Sequence, residues 1–302
     1  MKKKAEGLSY TLPRDEINLS DFSLFLSVMK YRKAYECLLG IIMNEDIHLQ
    51  EVKVEQVILN EEGKRAIRLD AWAVDANHRH FDTEMQNDTR KDDIRKRSRY
   101  YQGLMDSPIL KAGKETQYRH LPSTVIIFIT QEDIFGQDLA MYTFTEQCEE
   151  IQGFHLEDGT TKIFLNMKSR NGRPELVSLL QYIKYTTLFN PEIIIKDERM
   201  IQLDEIVQTV KQSEEWEVVR MTIMEYGIEY GIEYGIEQGE TINLMKLVYK
   251  KQQKGKSVSL IAEELEEEPI LIKEIYTILE EYESIPDWRE AYKQLKESPD
   301  IH

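Results

Sequence analysis

The chain has 302 residues, 41% of them hydrophobic and 31% charged, with sixteen Tyr, nine Phe and three Trp; that is enough for one full domain plus a smaller one and excludes disorder throughout. No apolar run approaches the ~18–20 residues that cross a bilayer, which excludes a membrane-spanning helix. Fifty-five acidic residues against thirty-nine basic ones give a net charge of −16, which argues against a passive DNA-coating protein because the chain as a whole repels a polyanion.

The opening MKKKAEGLSY carries basic residues with no apolar stretch behind them, so it does not read as a secretory signal. Residues 1–20, with Pro13, form a polar arm expected to be poorly ordered or loosely packed. From Asp21 to Asn44 the apolar spacing suits helix, with Asp21 or Ser20 capping an early turn and a helix over 33–43. Three strands are then expected over 52–59, 66–74 (AIRLDAWAV) and 80–86 (HFDTEMQ), the last two joined by a turn at DANHR. In the third, Phe81, Thr83 and Met85 alternate against Asp82, Glu84 and Gln86. Residues 88–106 read as a long helix, basic on its outside, since the segment 90–99 (RKDDIRKRSR) holds six basic residues and two acidic ones. Pro122 precedes STVIIFIT (123–130), a central strand buried on both faces, and TKIFLN (161–166) precedes a helix near 174–189. This order gives a mixed α/β domain.

Residues 225–239 repeat Glu-Tyr-Gly-Ile three times and end Glu-Gln-Gly. A four-residue period drifts about 40° per repeat on a helix, and each Gly costs a helix roughly 1 kcal/mol relative to Ala. The segment reads as a spacer, with strand geometry permitted by its period and self-association through the Gly stripe as a second reading. Helices are expected over 242–254, 257–267 and 269–282. The last two resemble a small helix-turn-helix, although five carboxylates in EELEEE (263–268) make protein binding or a structural role at least as fitting as base reading. Cys37 and Cys148 have no C-x-x-C spacing, so they read as core thiols of a reduced, cytoplasmic protein.

The candidate chemistry lies at Asp70, Glu84 and Gln86. Asp70 sits mid-strand among apolar neighbours, where a lone acid pays a desolvation penalty. Glu84 and Gln86 leave the same face of the next strand. If the strands are adjacent the three converge, and two carboxylates plus a carbonyl oxygen are the hard ligands that Mg²⁺ or Mn²⁺ prefers. A pair of solvated edge carboxylates is the plain alternative. No P-loop, nucleophile elbow, dinucleotide fingerprint or histidine metal spacing is present.

The segments LDAWAVD, FDTEMQN, RSRYY and KAGKETQYRHLPSTVIIFI, followed by the later Gly-Ile-Glu repeat, resemble in order the recombination-promoting nuclease (Rpn) and transposase branch of the PD-(D/E)XK nuclease superfamily, from about Asp21 to residue 190. The resemblance implies a restriction-endonuclease-like mixed sheet flanked by helices and followed by a mainly helical C-terminal region. It makes Asp70 the metal-binding aspartate, Glu84 the second acid, and Gln86 the residue standing where the wider superfamily has a lysine. Glu36 matches an acid that completes the metal site, with a surface helix carboxylate as the alternative. Arg97 and Tyr101, four apart on one helix face, match an arginine–tyrosine pair; they grip a phosphate, or Arg97 pairs with Glu84 or Asp70 while Tyr101 fills core. The expected organisation is an arm at 1–20, a nuclease-like domain at 21–200, a helical linker at 201–240 and a small helical domain at 241–302. The expected activity is Mg²⁺-dependent (or Mn²⁺-dependent) DNA endonuclease chemistry of the transposase or recombination type, with DNA as partner, self-association open and no membrane contact. The rival is a nuclease fold without turnover, serving as a DNA- or protein-binding module.

Overall fold

The computed structural model describes residues 17–59, 64–90, 92–110, 117–194, 197–282 and 285–297, and only the backbone over 224–237. The chain divides into two compact units, Met1–Arg220 and Met221–His302.

The first unit is built on a mixed six-stranded sheet in the order β1-β2-β3-β4-β6-β5. Its strands are β1 (Leu49–Ile58), β2 (Ile67–Asp75), β3 (His80–Gln86), β4 (Thr124–Thr130), β5 (Met141–Phe144) and β6 (Thr160–Asn166). The β1–β2, β2–β3 and β5–β6 pairs are antiparallel, while β3–β4 and β4–β6 are parallel. All seven β4 residues are buried, as a strand covered on both faces requires. The edge strand β5 was not expected, because four residues are too few for alternation to register.

Helices α1 (Phe22–Met29), α2 (Arg32–Met43), α4 (Pro174–Tyr185) and α5 (Glu198–Lys211) pack together, and α1 and α2 reach β1. Asp21 caps α1, accepting from the Ser23 and Leu24 amides. The Tyr35 hydroxyl of α2 bonds the Ala71 carbonyl (2.8 Å) and the Thr83 hydroxyl (2.9 Å), joining this layer to β2 and β3 together. On the opposite face α3 (Ile94–Asp106) lays Ile94, Tyr101 and Met105 against Ile126 and Phe128 of β4 and Phe164 of β6. The helix expected from residue 88 thus starts at Ile94. Asp93 is its cap, accepting from the Arg95 and Lys96 amides, while Asp88 is bound into a turn with Arg90.

Three further expectations differ from the structure. Residues 1–16 of the polar arm lie outside the described residues, but Ile17, Leu19 and Ser20 are buried, with the Leu19 amide donating to Thr186 Oγ1 at 2.6 Å. Cys148 is not a core thiol; it is half-buried in the β5–β6 connection and donates to Glu150. The expected boundary near residue 200 falls inside α5, whose Met200, Leu203, Val207 and Val210 are buried against the same unit. Trp216, fully buried, also lies in this unit.

Helix α6 (Glu214–Gln252) carries the backbone through the Glu-Tyr-Gly-Ile repeat as continuous helix. In the second unit its Met245 and Val248 pack with Ile261 and Ala262 of α7 (Val258–Leu265), Ile272, Ile275 and Leu279 of α8 (Pro269–Glu280), and Ala291, Tyr292 and Leu295 of α9 (Trp288–Glu297). Among the described residues no helix is long and apolar enough to cross a membrane.

Tyr35→Phe removes the one buried hydroxyl that ties α2 to both β2 and β3. Losing such a bond costs about 1–2 kcal/mol, so chemical denaturation should show the variant destabilised by that amount with an unchanged slope; equal midpoints would mean the hydroxyl contributes nothing.

Candidate active site

Antiparallel strands normally satisfy each other's amides along their full length, but the β2–β3 ladder runs only from Val74↔His80 to Ala71↔Thr83. Beyond that point β2 stays with β1 (Leu69↔Gln56, Arg68↔Val57) and β3 stays with β4 (Glu84↔Phe128, Gln86↔Thr130). Two side chains fill the fork. The Asp70 amide donates to Glu84 Oε1 at 2.9 Å, and the Met85 amide donates to Asp70 Oδ2 at 3.0 Å. Asp70 and Glu84 therefore come together, buried, across the parting of their strands.

A third acid stands beside them. Asp82 leaves the same side of β3 as Glu84 and Gln86 and is fully buried. Neither of its oxygens accepts a hydrogen bond among the described residues. Its charged neighbour on the same strand face is the Glu84 carboxyl, two residues on. Sequence reasoning placed Asp82 in the alternation without reading it as part of the site.

Arg97 supplies the positive charge. Its Nη2 donates to Glu84 Oε2, its Nη1 donates to Gln86 Oε1 at 2.9 Å, and its Nε donates to the Tyr101 hydroxyl at 2.8 Å. The guanidinium lies over the Tyr101 ring, 4.9 Å from its centroid, and 5.6 Å from that of Phe128, a favourable seat for a cation. Gln86 is held at both ends, because its Nε2 donates to the Asp88 carbonyl at 2.6 Å. On the outer side of α3, turned away from the acids, Arg95, Lys96 and Arg99 are exposed, as the basic outer face read from the sequence expects.

Burial governs the titration of the cluster. It raises Asp70 to about 6, against the pull of the Met85 amide and of the Arg97 and Arg68 charges. Burial first and the Asp70 charge second push Glu84 up to about 8, with Arg97 opposing. Asp82 is driven well above the usual carboxylate range by burial and then by Glu84 and Asp70. Burial also pushes the Tyr101 hydroxyl up, so Tyr101 acts as a neutral hydrogen-bonding group.

Glu36 does not join the cluster. Its Oε1 accepts from the Leu49 amide at 2.9 Å, and Leu49 pairs with Asp75, five residues along β2 from Asp70, or about 16 Å at the rise of a strand. It secures the start of β1. Among the described residues no group of three or more His, Cys, Asp or Glu side chains is arranged to hold a metal ion; in the cluster itself the cation at Glu84 is Arg97.

The family model of the PD-(D/E)XK nuclease family transposase matches residues 35–227, nearly two thirds of the chain and including every residue of this cluster. The chain belongs to that family. No curated protein and no solved structure matches it.

The raised acids set a pH dependence of known sign. Each titrates higher when folded than the ~4 of an exposed carboxyl. Each therefore adds stability below that value and withdraws it as the pH climbs from there to the folded value, about 6 for Asp70 and about 8 for Glu84. In EDTA the native protein should lose stability from pH 5 to pH 9. Asp82→Asn should flatten this slope and exceed the native stability at pH 9 by at least about 1 kcal/mol. Parallel stability–pH curves for the two proteins would show that Asp82 carries no such burden.

Proposed function

We propose that this PD-(D/E)XK family member is a divalent-metal-dependent DNA endonuclease of the transposase or recombination type, hydrolysing phosphodiester bonds at Asp70 and Glu84. The observation that carries this reading is the buried acid cluster in the β2–β3 fork with the Arg97 guanidinium of the basic helix α3 bonded into it. A structural sheet has no need of three inward carboxyls, whose desolvation works against folding.

The donor set suits Mg²⁺ or Mn²⁺. Asp70 keeps Oδ1 outside its bond to Met85, the Asp82 oxygens lack donors, and hard carboxylate oxygens are what these ions take. Asp70 and Glu84 would hold the ion with Asp82 behind them, and Glu36 is not in reach. When bound, such an ion supplies Lewis acidity to the phosphate and makes water easier to deprotonate. The remaining work falls to the chain's own side chains. Gln86 is neutral and supplies no charge of its own, but the guanidinium of Arg97, bonded to that amide, brings a fixed positive charge to the same spot. Arg97 can share its donors between Glu84 and a phosphate oxygen, and Tyr101 holds its Nε in place. Arg95, Lys96 and Arg99 would meet flanking phosphates without reading sequence.

One observation favours a second reading, a nuclease fold kept as a DNA- or protein-binding module. Arg97 already neutralises Glu84, which a silent site could retain for structure alone.

Purified native protein, Asp70→Ala and Glu84→Ala incubated with supercoiled plasmid in Mg²⁺, Mn²⁺ and EDTA separate the two. Metal-dependent nicking that falls at least about a hundredfold in both variants is the expected result. Cleavage by Asp70→Ala at the native rate would overturn the assignment, and metal-independent plasmid binding without nicking would favour the module.

A further inference from the structure

Beside the candidate active site, α3 and the β5–β6 edge enclose an open cleft of about 330 Å³ lined by Arg95, Ser98, Phe135, Phe144, Lys162 and Phe164, with Thr145 and Glu146 at its rim. Three Phe rings form its wall. Phe135 lies 5.0 Å from Phe144 and 5.3 Å from Phe164, and Phe144 meets Phe164 edge-on at 5.8 Å. Phe164 is buried, whereas Phe144 is 44% exposed. An edge-strand aromatic left open to water in this way gives up burial that the fold could have used.

The rim carries charge of the opposite sign to the protein's total. Lys162 is the cross-strand partner of Phe144 and makes no ion pair among the described residues. Arg95 is mostly exposed, its guanidinium resting on Asp93 at the surface. Glu146 is the one carboxylate at the mouth. The cleft also connects to the catalytic cluster through stacked rings. Phe164 stacks on Phe128 at 5.6 Å, nearly parallel, and Phe128 carries the Arg97 guanidinium at 5.6 Å. Phe164 and Phe128 therefore link the exposed Phe144 to the arginine on Glu84.

We infer that this cleft binds one unpaired nucleobase of the nucleic-acid strand held at the Asp70–Glu84 cluster, the base stacking on Phe144 while Lys162 and Arg95 contact the adjoining phosphates. The choice of ligand rests on reading that cluster as a nucleic-acid site. Every base presents a flat π face, so aromatic side chains bind single strands with little sequence preference, while neighbouring cations follow the backbone. A paired base buried in a duplex cannot enter such a cleft. The site therefore favours single strands, flaps or frayed ends over blunt duplex, with the carboxylate of Glu146 placed to accept from an exocyclic amino group.

The test uses the full chain in EDTA, so that binding is read without cleavage. The probe is a single-stranded DNA oligonucleotide containing 2-aminopurine, and the control is a blunt duplex of the same sequence. The native protein should bind the single strand more tightly than the duplex and quench 2-aminopurine as the base stacks. Phe144→Ala should weaken single-strand binding about tenfold or more and abolish the quench while leaving duplex binding unchanged. Phe144→Tyr, which keeps a stacking ring, should retain both. Lys162→Gln should weaken binding and reduce its salt dependence. Equal single-strand affinity of native protein and Phe144→Ala would overturn the inference, as would native protein that neither prefers the single strand nor quenches the probe. Thermal melts of each variant identify a loss that reflects unfolding, in which case Phe144→Tyr decides. Cleavage is not read in this experiment, so a protein that stacks bases but never nicks plasmid loses the nuclease reading and keeps the cleft, and one that nicks without stacking does the reverse.

Discussion

Where β2 and β3 part, the amides of Asp70 and Met85 face a gap instead of the carbonyl a continuous ladder would provide, and each takes a carboxylate oxygen from the opposite strand. A buried amide without a partner costs about 1–3 kcal/mol, and a buried carboxylate without donors costs more. Each defect therefore repairs the other, and neither Asp70 nor Glu84 can be replaced by an apolar residue without orphaning a backbone group. The fork holds its shape because the sheet is anchored on both sides of it. The β1 strand follows β2, the fully buried β4 follows β3, and Tyr35 pins the last paired rung, Ala71↔Thr83, from the α2 layer.

The charges in the fork are unbalanced by design of the fold. Asp70, Asp82 and Glu84 present three acids to one guanidinium, and burial raises all three acids. A buried ion pair gains little over its desolvation, but removing one partner leaves an uncompensated charge at a cost of about 3–5 kcal/mol. The folded protein thus depends on Arg97 on electrostatic grounds alone. The arginine's seat on Tyr101 and Phe128 helps keep it near the acids. On the proposed reading this excess of acid over base is what would draw a divalent cation, in a protein whose net charge of −16 otherwise repels DNA. The exposed Arg95, Lys96 and Arg99 of α3 would offset that repulsion locally, within the roughly 8–10 Å over which exposed charges act at physiological salt.

Much of the architecture could be read from the chain because its signals are local. The bounds of β3 follow from strict alternation, β4 from an unbroken apolar run after Pro122, and α4 from Pro174 at its first turn. The features that could not be read depend on partners distant in sequence. Asp82 looked like one polar residue of an alternating strand, and only the covering of that face by α3 turns it into a buried acid. Glu36 had a plausible identity and helical position, but the start of β1 claims its carboxylate. The register of α3 was set by Asp93, one of several acids able to cap in the segment 88–93. Residues 17–20 were read as the end of a polar arm, yet the amides of Leu19 and Ser20 are taken at the C-terminal end of α4, by Thr186 and Ile183.

Helix α3 is the element through which these constraints meet. One side of it buries Ile94, Tyr101 and Met105 on β4 and β6, so its axial position is fixed by core packing. Arg97, three residues on from Ile94 and four before Tyr101, is thereby aimed into the fork, and Arg95 falls on the flank that borders the Phe144 cleft. A shift of α3 by one residue would rotate it by about 100°, taking Arg97 off Glu84 and Arg95 off the cleft at the same time. The packing that makes α3 a stable part of the core is therefore also what keeps the acid cluster, its guanidinium and the aromatic wall in one spatial register.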